Sequence, residues 1–185
     1  SCAARGPTQL GVGVNISEVQ FQQNLLDAVG KALQTSGLDA RHLEIEITES
    51  VVMQNAAEAV LTLEQLSRMG VHISIDDFGT GYSSLSYLKR FPLQTLKIDR
   101  SFIREITDDP DDAAIVSAII ALAHNLRLKV VAEGVETEQQ LAFLRRLGGD
   151  EYQGFYRTKP LPAGEFERLL VKQGGEPEPQ PEPAV

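Results

Sequence analysis

What most constrains this chain is a repeat of order: a short apolar strand-like run followed by a helix-like stretch, six times in series. Val12–Ile16 is the first run, and Ser17 stands where it can cap a helix from about Glu18 to Thr35, ended by Gly37. Leu43–Ile47 alternates apolar and polar with period two. Asn55 can cap a helix from Ala56 to Met69, with Val60, Leu61, Leu63 and Leu66 in one stripe and Gly70 as the stop. Val71–Ile75 is the third strand, Leu85–Arg90 a short helix halted by Pro92, and Thr95–Ile98 the fourth strand. An Asp-rich loop leads into a strongly apolar helix, Ala113–Leu126, and Lys129–Ala132 is the fifth strand. Thr137 opens a helix from Glu138 to Leu147, closed by Gly148 and Gly149; Glu151–Phe155 is a sixth short strand and Ala163–Val171 a last helix.

Six β/α units in series predict an α/β fold with a parallel sheet and outside crossovers. Two architectures satisfy that pattern. One is a TIM-type (β/α) barrel, incomplete with six of its eight units, since a closed barrel typically takes about 250 residues and this chain has 185. The other is an open doubly wound sheet, and pattern alone prefers neither. The reading divides the chain into a lead-in (1–11), the β/α region (12–173) and a Pro/Glu tail (174–185). That tail, GGEPEPQPEPAV, has no apolar anchor and reads as extended and disordered. It holds three of the nine net negative charges.

Charge and cysteine content remove several classes. A net charge of -9 argues against a DNA or RNA polymer as partner, because phosphate backbones demand clustered cations. A single cysteine, Cys2, excludes a disulfide framework and a Cys-rich zinc site, and a reducing cytoplasm is the expected compartment. The longest apolar run, Ala113–Ala123, falls well short of the roughly 18 residues of a membrane span. The first residues lack the apolar core of a signal peptide.

The chemistry concentrates where the strands end. Asn15 closes the first, Glu46 and Glu49 the second, Asp76-Asp77 the third, Lys97 and Asp99 the fourth, Glu133 and Glu136 the fifth, and Gln153 the sixth. In β/α folds that edge carries the active site. Oxygen donors of this kind suit a hard cation such as Mg²⁺ or Mn²⁺, and none of the three histidines stands at a strand end. Asp76 and Asp77 point to opposite sides of a regular strand, so both reach one site only where the strand breaks. Phe78-Gly79-Thr80-Gly81 is read as that break. Adjacent carboxylates bridging two cations suit phosphoryl chemistry. Lys97 beside them either handles a water or merely neutralises buried carboxylates.

The motifs Val14-Asn-Ile-Ser17, Glu46-Ile-Thr-Glu49, Asp76-Asp-Phe-Gly-Thr-Gly-Tyr-Ser-Ser-Leu85, Leu96-Lys-Ile-Asp-Arg100, Val131-Ala-Glu-Gly-Val-Glu136, Asp150-Glu-Tyr-Gln-Gly154 and Lys159-Pro-Leu-Pro162 together resemble the EAL-domain family, the bacterial cyclic di-GMP phosphodiesterases. The resemblance runs from Val12 to about Leu170. It implies a β/α barrel, a two-metal Mg²⁺ or Mn²⁺ site and hydrolysis of cyclic di-GMP to pGpG. Carried over residue by residue, Asn15, Glu46, Asp76 and Asp77 resemble metal ligands. Lys97 resembles the lysine that holds the attacking water, with Glu133 and Gln153 in the same network. Glu49 resembles the anchor of the loop Phe78, Gly79, Thr80, Gly81, which in the family couples the site to a homodimer. The helix Ala113–Leu126 resembles the dimer helix. No substrate-binding residue is assigned.

The Glu-Ala-Leu segment that names the family has no counterpart in these 185 residues. With it go one glutamate ligand, an arginine for substrate phosphate and about two β/α units. Six strands leave two unpaired edges, so the expectation is a piece of a longer protein or a chain that closes on a second copy. The alternative function is an inactive module that binds cyclic di-GMP or a protein partner.

Overall fold

The structure, a computed structural model, describes residues 11–81 and 84–173. The expected tail, most of the lead-in, and Tyr82 and Ser83 lie outside the described residues. Six strands form one parallel sheet: β1 (Val12–Ile16), β2 (Leu43–Thr48), β3 (His72–Phe78), β4 (Thr95–Ile98), β5 (Lys129–Glu133) and β6 (Glu151–Gln153). Every strand lies beside its neighbour in sequence. That order excludes the doubly wound alternative, in which the strand order reverses part-way. Among the described residues nothing pairs with the outer edges of β1 and β6. The fold is an open six-stranded arc of a TIM-type (β/α) barrel.

The register explains how one sheet holds both a core and a polar site. Cα partners in a parallel pair share a face, and successive residues alternate faces. Asn15 stands opposite Glu46, Glu46 opposite Ser74, Lys97 opposite Val131 and Glu133 opposite Gln153. These residues therefore belong to one face, which is almost wholly polar. The other face carries Ile45, Ile47, Ile73, Ile75, Leu96, Ile98, Val130 and Ala132, all buried against the helices. The core thus lies between the strands and the outer helical layer. Val12 and Val14 belong to the same apolar face but stay exposed, because β1 is an edge.

The helices differ from expectation in instructive ways. The single helix expected over 18–35 is two: α1 (Glu18–Gln22) and α2 (Leu25–Ser36). Gln23 is extended and Asn24 takes a left-handed conformation at φ 51°, which asparagine tolerates better than most residues. Ser17 does cap α1, in a reciprocal box with Gln20. An additional short helix, α3 (Glu49–Gln54), follows β2 at once. Asn55 precedes α4 (Ala56–Arg68) but does not cap it; its amide donates to Glu58 Oε2 at 2.6 Å. After α5 (Leu85–Leu88), a further helix, α6 (Arg100–Arg104), starts directly after β4 with Asp99 as its cap. α7 (Pro110–Asn125) begins three residues earlier than expected, with Pro110 in its first turn, where proline lacks nothing the helix needs. α8 (Glu138–Arg146) opens on a capping box between Thr137 and Gln140, and α9 (Ala163–Gln173) is last. None of the described helices is long and apolar enough to cross a membrane.

One buried side chain fixes the segment after β5. The Gln140 amide nitrogen donates to the carbonyls of Ile103 and Arg104, each at 3.1 Å, and its oxygen accepts from the N–H groups of Glu136 and Thr137 at 2.8 and 3.0 Å. Gln140→Leu keeps the volume and leaves those backbone groups without their partner. It should lower the unfolding free energy by about 1–3 kcal/mol, measured by urea denaturation with far-UV circular dichroism.

Candidate metal and phosphoryl-transfer site

The site is built around Lys97, in the middle of the polar face and nearly fully buried. Its ammonium lies 2.5 Å from Glu46 Oε2, 2.7 Å from Glu133 Oε1 and 3.3 Å from Asp76 Oδ1. β2, β3 and β5 each contribute one carboxylate. An ammonium has three donors, and these contacts use all three. Burial works against the Lys97 charge, but the hydrogen bonds to Glu133 and Glu46 and the field of Asp76 outweigh it and hold the ammonium well above its ordinary range. In this arrangement the Lys97 ammonium offsets part of the charge of the three carboxylates around it.

The pair Asp76-Asp77 reaches one place through a bulge. β3 and β4 pair as Ile75 with Leu96, then as Phe78 with Ile98, so β3 carries one extra residue. That residue is Asp77, at φ 52°. The strand breaks at Asp77 itself, not at the glycines beyond it as the sequence suggested. The bulge returns Phe78 to the apolar face, where it is buried, and leaves both aspartates at the polar end. Ligand oxygens of Asp76, Asp77 and Glu133 all lie within 4.8 Å of one another.

Burial and neighbouring charges act unequally on the acids of this end. Burial, together with Asp76 and a hydrogen bond shared with Asp99, pushes the Asp77 carboxyl above the ordinary carboxylate range. Burial also raises Glu133; the Lys97 ammonium opposes this, while Asp76 and Glu46 add to it. Burial would raise Asp99 too, but its bonds from Ser101 and Asp77 leave it lowered. Asp99 thus joins the cluster although only its place at a strand end singled it out in the sequence. Its contact with Asp77 depends on the bulge, which no local pattern announces.

Other expected residues are placed as follows. Glu46 contacts Lys97 and stands outside the mutual grouping of Asp76, Asp77 and Glu133. Asn15 and Gln153 share the polar face and are exposed. Glu49 is buried at the start of α3, and its Oε2 accepts from the Gly79 N–H at 3.2 Å. Thr80 Oγ1 donates to the Asp77 carbonyl at 2.9 Å, and Gly81 lies against the Glu49 carboxylate. Gly79, at φ 100°, abuts Phe102 and Ile119, so the loop rests between Glu49 and α7.

The donor set fits a hard divalent cation. Three carboxylates converge, and no soft ligand stands among them. Fold and site together define a β/α-barrel protein with an acidic, lysine-braced centre at the C-terminal strand edge. A family model for the EAL domain matches residues 2–160, and the chain belongs to that family. It is 56% identical over 167 residues to a protein of Pseudomonas aeruginosa described as bifunctional diguanylate cyclase/cyclic di-GMP phosphodiesterase MucR, covering 90% of this chain and 24% of that protein. The chain spans about a quarter of the length of such relatives. A solved structure, PaMucR phosphodiesterase in complex with c-di-GMP, aligns with a TM-score of 0.82 over 84% of this chain and 64% of that one. Klebsiella pneumoniae BlrP1 in a manganese/cy-diGMP complex aligns at 0.72 with 31% identity, over 79% of this chain and 38% of that one.

Lys97→Met leaves Glu46, Asp76 and Glu133 facing one another without their cation. Unfolding at pH 7 should become easier by about 3–5 kcal/mol. The loss should shrink at pH 5, where protonation relieves the repulsion; equal losses at both pH values would contradict the ion-cluster reading.

Proposed function

We propose that this chain is the metal-dependent phosphodiesterase part of a bacterial signalling protein, cleaving one phosphodiester bond of cyclic di-GMP to give pGpG. The observation that carries the reading is the convergence of Asp76, Asp77 and Glu133 beside Lys97 at the strand edge. Similarity to MucR, whose description names the same activity, supports it. The domain is taken as 12–173, and the cytoplasm as its compartment.

Asp76, Asp77 and Glu133 would hold Mg²⁺ or Mn²⁺, one ion or a pair, with Asn15 and Glu46 on the same face as further oxygen donors. Bound there, the cation would supply charge for the phosphoryl oxygens and acidify a water. The protein's own part follows from the geometry. Lys97 fixes the Glu46 and Glu133 carboxylates and adds positive charge beside the reacting phosphate. Glu133, 2.7 Å from the ammonium, belongs to the same network of charges around the reacting water. Gln153 stands opposite Glu133 in register and lines the same edge. Glu49 holds the loop at Gly79, and that loop touches Ile119 of α7, which gives a physical path from the site to a homodimer formed through α7.

Binding of cyclic di-GMP without turnover is the second reading. It is favoured by Glu46 lying on Lys97, away from the carboxylate trio. The test is incubation with cyclic di-GMP and Mn²⁺, with pGpG read by chromatography. Product that disappears in Asp76→Asn and falls at least about 100-fold in Lys97→Ala is expected. Binding by calorimetry without product favours the second reading, and neither result overturns both.

The pH dependence follows from Asp77 and Glu133. A carboxyl raised in the folded state stabilises the fold below its ordinary pKa and withdraws that support as pH climbs through the raised value. A cation competes with those protons. The rise in thermal midpoint on adding Mn²⁺ should therefore be larger at pH 8 than at pH 5.5, as measured by scanning fluorimetry.

A further inference from the structure

Glu133 reaches back from β5 to Lys97, yet the sheet stops short of holding it there. The pairing of β4 with β5 ends at Ile98 and Ala132. At the next step β4 leaves the sheet, because Asp99 turns the chain into α6 as its cap. On its other side Glu133 pairs with Gln153 of β6. Toward β4 its placement falls to the segment that follows it, and that segment leans on α6. Gly134 takes a left-handed φ of 72°, and a Cβ built on it would lie 2.6 Å from Arg100 Cβ. The buried amide of Gln140 makes a second tie, to the carbonyls of Ile103 and Arg104 at the end of α6 and to the N–H groups of Glu136 and Thr137. Carbonyls in the last turn of a helix lack partners within it, so they take donors from outside. A capping box by itself asks only for an acceptor at this place, which glutamate supplies as well as glutamine. The two bonds to α6 are what require an amide, and with them its two donors and two lone pairs are all used.

We infer that Gln140 is a positioning residue for the carboxylate cluster: its amide bridges α6 and the segment after β5, and so holds Glu133 against Lys97 and beside Asp76 and Asp77. With the bridge cut on the α6 side, segment 134–137 moves away from β4 and draws Glu133 off the ammonium, while the strand pairing up to Ala132 stays. Gln140 touches none of the acids itself and acts through the backbone that carries Glu133. The cation arm of this inference rests on the site proposed above.

The experiment compares the chain with Gln140→Glu, Gln140→Leu and Val60→Ala. Mn²⁺ affinity is read by electron paramagnetic resonance at a temperature where each form is fully folded. Gln140→Glu keeps the acceptor for Glu136 and Thr137 and loses the donors to α6, so it cuts the bridge alone. It should weaken Mn²⁺ binding about 10-fold, and so should Gln140→Leu. Val60→Ala, a truncation in the core beneath α4, should lower the thermal midpoint and leave Mn²⁺ affinity unchanged. Unchanged affinity in Gln140→Glu, or an equal loss in Val60→Ala, would overturn the inference. If no form binds Mn²⁺, the cation site fails, and a crystal structure of Gln140→Glu still decides the role of Gln140. Glu133 turned away from Lys97 supports it; the 2.7 Å contact kept intact refutes it.

Discussion

The arrangement depends on one ammonium group meeting three carboxylates. Lys97 on β4 binds Glu46 on β2, Asp76 on β3 and Glu133 on β5. A buried lysine alone is costly, and so is a buried trio of acids. Joined, they let the inner face of a sheet be polar while the outer face carries the hydrophobic core. The usual division of a β/α unit is kept on the helical side, where Ile73, Ile75, Leu96 and Ile98 are fully buried. The exception is confined to the face where chemistry is needed. Count of charge matters here: three acids and one base leave a deficit of positive charge, and the raised Glu133 and Asp77 register it.

The second device is a single extra residue. Without the bulge at Asp77, Phe78 would turn toward the polar face and Asp77 toward the core. With it, an aromatic ring is buried, two acids share one end of the strand, and the chain leaves toward Gly79. A backbone irregularity of this kind costs local pairing. Burial of Phe78 and the hydrogen bond from Gly79 to Glu49 offset that cost, so strand, loop and α3 are locked together.

Much of this was legible in the sequence. Period-two alternation in Leu43–Ile47 located a strand that the structure keeps, and the capping signals at Ser17 and Thr137 marked real helix starts. Acids at successive strand ends pointed to one edge because strands in series stack in order. What was illegible depended on long-range geometry. Neither the left-handed Asn24 nor the bulge at Asp77 leaves a local signature, since both conformations are open to these residues only when tertiary contacts select them. The short helices α3 and α6 are too brief for a periodic stripe. The contact between Glu46 and Lys97, 51 residues further along the chain, was illegible for the same reason.

The central claim is that the lysine-braced acids on the inner strand face form a cation site. Anomalous diffraction from crystals of this chain soaked in Mn²⁺ tests it most directly. The account predicts a manganese peak among the carboxylates of Asp76, Asp77 and Glu133, with Lys97 still bonded to Glu133. No peak there at saturating Mn²⁺, or a peak only at surface acids, would contradict it.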